Sequence, residues 1–213
     1  MELLDAAEVR VLGSLIEKEA TTPEYYPLSL NALINACNQK SNRDPVVEYD
    51  EDTVYDTVTR LREKKLALLN TGSGRVNKYS QRISETLNLG RRELAVLCTL
   101  LLRGPQTLGE IKDRSERIFS FADLAETESV LQKLSEWPSG ALAKKLPRLA
   151  GQKEARYTHL LSGEPDIEAE TATETRSVGS TTKVAQLESE LQSLRSDFED
   201  LKRRFETLEE QLR

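Results

Sequence analysis

The chain carries one pattern twice. Ser29-Leu30-x-x-Leu33 recurs 78 residues later as Thr107-Leu108-x-x-Ile111, and Asn77-Lys78-Tyr79 recurs at the same offset as Ala155-Arg156-Tyr157. A common offset at two separated anchors means that a whole supersecondary unit is repeated, which restricts the fold more than any single residue does. Between the anchors each copy holds a further amphipathic helix and then two short strands joined by a Gly-containing turn. Helix, helix, helix and two-stranded ribbon is the order of a winged helix. The expected class is therefore mainly α with small β wings: two tandem winged-helix domains followed by a C-terminal coiled-coil helix.

Local chemistry supports each element. Asp5-x-x-Glu8 is a capping-box pattern opening a helix to about Glu19, with Val9, Leu12 and Ile16 on one stripe and Leu15 beside it. Pro23 and Pro27 hold the next segment out of α-helix. Ser29 caps a second helix whose Leu30, Leu33, Ile34 and Cys37 share a face. A third runs from about Glu51 with Val54, Val58 and Leu61 inward, and 66–70 and 76–80 flank Gly72-Ser73-Gly74 as a hairpin. The second copy places Leu94, Leu97, Cys98 and Leu101 on its first helix and stops it at Gly104-Pro105. Thr107-x-x-Glu110 and Asp123-x-x-Glu126 open the next two helices, the latter burying Val130, Leu131 and Leu134. Residues 142–149 and 155–161 make the second wing.

These boundaries give domains at 1–85 and 86–163. From 164 to 182 the apolar period disappears and Glu, Thr, Ser, Gly and Ala dominate, the composition of a flexible acidic linker. From 183 to 213 it returns as an unbroken heptad: Val184, Leu187, Leu191, Leu194, Phe198, Leu201, Phe205, Leu208 and Leu212. In a parallel pair every g–e' meeting is attractive, namely Lys183 with Glu188, Glu190 with Arg195, Asp197 with Lys202 and Arg204 with Glu209. The heptads predict a parallel homodimer.

The run Thr21-Thr22-Pro23-Glu24-Tyr25-Tyr26-Pro27-Leu28-Ser29-Leu30-Asn31, followed by Ala36-Cys37-Asn38-Gln39-Lys40-Ser41-Asn42-Arg43-Asp44-Pro45-Val46, resembles the YceH-like family of bacterial proteins. The stretches Leu100–Thr107 and Arg156–Glu164 are similar to further motifs of that family. The resemblance covers about residues 6–164 and implies two winged-helix domains in a cytoplasmic bacterial protein. It implies no reaction.

Nothing in the chain assembles a catalytic constellation. His159 is the single histidine and ends a predicted strand, Cys37 and Cys98 lie on helical core stripes without metal-ligand spacing, and no Gly-rich phosphate loop or nucleophile elbow occurs. The expectation is a non-enzymatic protein without cofactor or metal. No apolar run approaches the roughly 20 residues of a membrane span, and the N-terminus lacks a basic leader, so a cytoplasmic site is expected.

Two partner classes remain open. A winged helix can set its third helix in the major groove of double-stranded DNA and its wing on the backbone. The contacts would be Lys40 and Arg43 from the loop, Thr53, Thr57 and Arg60 from the third helix, and Arg75 and Lys78 from the wing. Lys144, Lys145, Arg148, Lys153 and Arg156 would make a basic ribbon in the second copy. Against this stand a net charge of −6 and Asp52, Asp56, Glu126 and Glu128 on the two third helices, which phosphate repels. The alternative is a winged-helix adaptor for protein partners. The polar segment 38–46 suits either helix capping or a ligand.

Overall fold

The structure is a computed structural model that describes residues 2–71, 76–148 and 153–164. All of them belong to one compact unit ending at Glu164. The first repeat runs α1 (Ala6–Thr21), a 3-10 turn (Pro23–Tyr25), β1 (Leu28–Ser29), α2 (Leu30–Cys37), α3 (Glu51–Glu63), β2 (Ala67–Asn70), β3 (Lys78–Gln81) and α4 (Ile83–Leu87). The second runs α5 (Arg91–Arg103), β4 (Gln106–Thr107), α6 (Leu108–Ser115), α7 (Leu124–Ser135), β5 (Ala143–Lys145) and β6 (Arg156–His159). The class is mainly α with two small antiparallel sheets. The linker and heptad seam predicted beyond Glu164, with Val184 through Leu212, lie outside the described residues, as do both wing tips.

The helix starts follow the capping chemistry. The Asp5 carboxylate accepts from the Glu8 amide at 2.8 Å while the Asp5 amide donates to the Glu8 carboxylate at 2.9 Å. Thr107 and Glu110 close the same reciprocal box on α6. Gly104 at φ 67° then ends α5 in a backbone conformation that a Cβ disfavours.

Each sheet has a third strand that periodicity did not reveal. β1 pairs with β3, Leu28 opposite Tyr79, and β4 pairs with β6, Gln106 opposite Tyr157. Strand order is β1-β3-β2 in one sheet and β4-β6-β5 in the other. Two-residue strands are too short to alternate visibly, so only their backbone pairing identifies them. The 78-residue offset is preserved by β1/β4, α2/α6 and β3/β6. It is lost at the third helices, because the loop 38–50 before α3 is longer than 116–123 before α7.

The packing departs most from expectation at α1. Instead of a single apolar stripe, every residue from Glu8 to Glu17 is buried. One side of α1 packs on α2 and α3 of its own repeat, and the other packs on α5 of the second. Gly13 makes this close approach possible: a Cβ there would lie 2.9 Å from Leu102 Cδ2 and 3.2 Å from Leu101 Cβ. The Cys98 thiol donates to the Gly13 carbonyl at 3.4 Å across the same contact. The repeats also meet where the Leu4 amide donates to the Leu161 carbonyl at 2.8 Å and where Trp137 Nε1 donates to the Leu87 carbonyl at 3.0 Å.

Polar groups buried against α1 tie down the loop 38–50. Arg43 is 6 % exposed and grips Glu17 with two hydrogen bonds, at 2.7 and 3.2 Å, while also donating to the Ala36 carbonyl that ends α2. Burial by itself would raise the Glu17 carboxyl, but the hydrogen bonds and charge of Arg43 hold it below its ordinary value. Arg10, 4 % exposed, donates to the Cys37 carbonyl at 3.1 Å and to the Pro45 carbonyl. Asn38 closes the loop, its side chain exchanging two 2.8 Å hydrogen bonds with the Tyr49 backbone. The Asp44 amide donates to the Leu102 carbonyl at 2.9 Å, so this loop bridges to α5.

Two stability outcomes follow from this packing. Gly13→Val overfills the α1–α5 contact and is expected to lower unfolding stability by about 1–3 kcal/mol in urea titration, despite the better helix propensity. A neutral or stabilising result contradicts the close packing. Arg43→Ala strands the Glu17 carboxylate among apolar groups and is expected to cost about 3–5 kcal/mol. The double variant with Glu17→Leu should recover part of that loss, which chemical denaturation of both proteins checks.

Candidate partner-binding surface

The surface predicted for DNA is built by α3 with β2–β3 and by α7 with β5–β6, and the structure divides its residues sharply. Lys40 is exposed in the loop and Lys78 is exposed on β3. Arg148 and Lys153 are exposed beside the second hairpin. Thr53 is half-buried in the first turn of α3, where its amide donates to the Asp50 cap at 2.9 Å. Arg75 lies outside the described residues.

Four of the expected contacts need correction. Arg43 does not reach the surface; it is the buried partner of Glu17, because the loop folds its guanidinium under α1. Thr57 was expected outward but is 1 % exposed, its hydroxyl donating back to the Thr53 carbonyl at 2.6 Å. It sits next to Val58 on the helix, so an inward stripe wide enough to meet both α1 and α2 takes it in. Arg60 faces the α1 cap, 2.8 Å from Asp5 and 3.5 Å from Glu8. Arg156 lies against the second capping box, donating to the Pro105 carbonyl at 3.1 Å and to Glu110 at 3.2 Å.

The basic ribbon of the second hairpin is also offset. Lys144 pairs with Glu164, and Lys145 sits 3.7 Å from Glu128 and 5.3 Å above the Tyr157 ring. The Tyr157 hydroxyl in turn donates to Glu128 at 3.3 Å. One carboxylate of the third helix, Glu128, thus reaches across to a cation of the hairpin, Lys145. A sequence reading counts such charges separately, since the partners are separated along the chain and meet only when α7 packs on β5.

The outward faces of the third helices carry a different composition. On α3 the exposed residues include Glu51, Asp52, Tyr55, Asp56 and Glu63. On α7 they include Leu124, Glu128, Gln132 and Lys133, with Glu136 at its C-cap, and Lys133 is held by Glu93 at 2.7 Å. Tyr55 is 48 % exposed and Leu124 is 48 % exposed. Neither belongs to a motif or a charge cluster, and the available sequence signal is that each falls off its helix's apolar stripe.

The titratable groups weighed for catalysis are sequestered. His159 is held neutral by burial, which lowers its pKa to about 4, and its Nδ1 has no hydrogen-bond partner among the described residues. Cys37 and Cys98 are buried free thiols, and burial raises Cys37 to about 11 and Cys98 further. A thiol held protonated is a poor nucleophile. Among the described residues no group of three or more His, Cys, Asp or Glu has metal-binding geometry, and no helix is long and apolar enough to cross a membrane.

Comparison with known proteins places this architecture in a family. The family described as "Protein of unknown function, DUF480" matches residues 4–152. A "UPF0502 protein" of Solibacter usitatus is 54 % identical over 90 % of this chain and 93 % of its own length. One from Citrifermentans bemidjiense is 54 % identical over 88 % of each chain. A third, from Opitutus terrae, is 48 % identical over 92 % of this chain and 84 % of its own. The match runs through the Thr21–Val46 segment on which the YceH-like resemblance rests, and the chain belongs to this bacterial family.

Proposed function

We propose that the chain is a tandem winged-helix protein of the cytoplasm that acts by binding a macromolecular partner, without catalysis, and that this partner is a protein. The tandem winged-helix reading is supported by the repeated order of helices and by the two sheets of matching strand order. The observation that carries the choice of partner is electrostatic. The outward face of α3 presents Glu51, Asp52, Asp56 and Glu63, whereas Arg43, Arg60 and Arg156 are engaged by carboxylates within the molecule. A recognition helix for DNA brings its face within a few ångströms of phosphate, where carboxylates are repelled. A protein partner with a basic rim meets no such barrier, and exposed Tyr55 offers an amphipathic anchor of the type enriched in protein interfaces.

The second reading, double-stranded DNA, is favoured by the exposed cations Lys40, Lys78, Arg148 and Lys153 at the edges of the same surface. Phosphate contacts release counterions, so a DNA binder loses affinity steeply with salt. The expected outcome for the full chain is duplex binding weaker than the roughly 10⁻⁴–10⁻⁶ M of ordinary nonspecific binders at physiological salt. Cross-linking in cells should recover a protein whose yield falls with Asp52→Lys and Asp56→Lys. Tight duplex binding with a steep salt slope, weakened by Lys78→Ala, would establish the DNA reading instead.

We further propose that residues 183–213 join two copies as a parallel homodimer. The Leu, Phe and Val seam supplies the stability while the g–e' charges select the orientation. Two joined copies gain avidity for a symmetric partner. Light scattering should give twice the chain mass for the full protein and a monomer for a chain ending at Thr182; a full-length monomer at tens of micromolar refutes the dimer.

A further inference from the structure

Three guanidiniums converge on a small cleft between the repeats, which neither a nucleic-acid nor a protein partner explains. Arg103 at the end of α5, Arg114 on α6 and Arg117 just beyond it line this cleft together with Thr21, Asn42 and Glu17. The cleft is small, about 30 Å³, so a ligand larger than a water or two lies at its mouth against the arginines. Leu102, Ile118 and Cys98 also line it.

The charge there is poorly balanced for a chain with a net charge of −6. The one lining carboxylate, Glu17, is already taken by Arg43 and by Lys18 at 3.4 Å. Arg114 has Glu110 at 3.1 Å, but Glu110 is shared with Arg156. The side-chain partner of Arg103 is the neutral amide oxygen of Asn42. Arg117 is exposed and forms no ion pair among the described residues. Burial and then the neighbouring charge of Arg114 depress Arg103, against the opposing pull of the Glu17 carboxylate. Arg103 and Arg114 do occupy last helical turns, where a cation offsets the macrodipole. That accounts for one charge per terminus and leaves Arg117 at the opening, with Lys18 and Arg43 sharing the single carboxylate of Glu17 beside it.

We propose that this cleft binds the phosphate group of a small phosphorylated ligand at the junction of the two repeats. Arginine forks bind such a group through paired N–H donors, and a dianion matches several of them at once. The Thr21 and Thr99 hydroxyls already donate to the Glu17 and Ala95 carbonyls, so the arginines supply the donors. Because α1 contributes Thr21 and α5 contributes Arg103, a bound phosphate spans the α1–α5 contact and stabilises the joined arrangement of the repeats. The site is separate from the α3 and α7 faces, so it is an effector site and does not depend on which macromolecule those faces bind.

Thermal unfolding of the full chain with millimolar orthophosphate tests this, with sodium chloride at matched ionic strength as reference. The expected result is a saturable rise in Tm of about 5 °C at phosphate concentrations far above Kd. Glycerol phosphate should reproduce it, since the ester substituent remains in solvent. Arg117→Gln, an exposed change that spares the core, should abolish most of the shift, as should Arg103→Gln, whereas Lys40→Gln should leave it intact. A rise no greater than that in chloride, or one retained in Arg117→Gln, overturns the proposal. So does a shift given by duplex DNA but by neither small phosphate, which assigns the cations to nucleic-acid backbone.

Discussion

The packing of α1 on α5 is the contact on which the rest of the molecule depends. The first helix of each repeat would ordinarily keep one face in water, yet α1 is buried around its circumference from Glu8 to Glu17. Gly13 removes the side chain that would hold the two helices apart, and Leu101 and Leu102 fill the space beside it. Close packing of this kind gains dispersion and hydrophobic energy over many small contacts, so it tolerates little change in volume. It also fixes where the two third helices and their hairpins emerge. Whatever binds α3 and α7 meets a pair held by one core.

Burial of α1 has an electrostatic consequence. The charged groups Arg10 and Glu17 lie on a helix with no solvent face left, so their counterparts must come from protein. The loop 38–50 meets that demand. Its Arg43 neutralises Glu17, and the Cys37 and Pro45 carbonyls accept from Arg10. This explains the polar character of a segment that looks too particular for a spacer and too hydrophilic for a core. Arg43 and Asn38 serve the interior, while Lys40, Ser41, Asp44, Pro45, Val46, Glu48 and Asp50 are exposed.

A related economy governs the surface. Carboxylates of the capping boxes serve twice, first on the orphan amides of a helix N-terminus and again on a distant arginine. Asp5 and Glu8 receive Arg60, and Glu110 receives Arg156. Glu128 on α7 likewise faces Lys145 on β5. Several cations that look free along the chain are therefore paired in the fold, while Lys40, Lys78, Arg148 and Lys153 stay exposed at the edges of the hairpin surface.

Much of the architecture was legible in the sequence because it rests on local rules. The three main helices of each repeat (but not the short α4), the Asp5 and Thr107 caps, the stop at Gly104 and the inward positions Val54, Val58, Leu61, Val130, Leu131 and Leu134 follow from period and capping, which act over one or two helical turns. The 78-residue offset predicted equivalence of the two copies, and the register of Leu28 with Tyr79 and Gln106 with Tyr157 bears it out. Only the tertiary structure decided which charges are free. Arg43, Thr57, Arg60 and Arg156 all read as outward binding residues, because a sequence shows a side chain's type and not what a segment dozens of residues away brings against it. The same limit hid the second buried face of α1. Its second partner, α5, is more than seventy residues away, and no periodicity within α1 records a helix that arrives from another repeat.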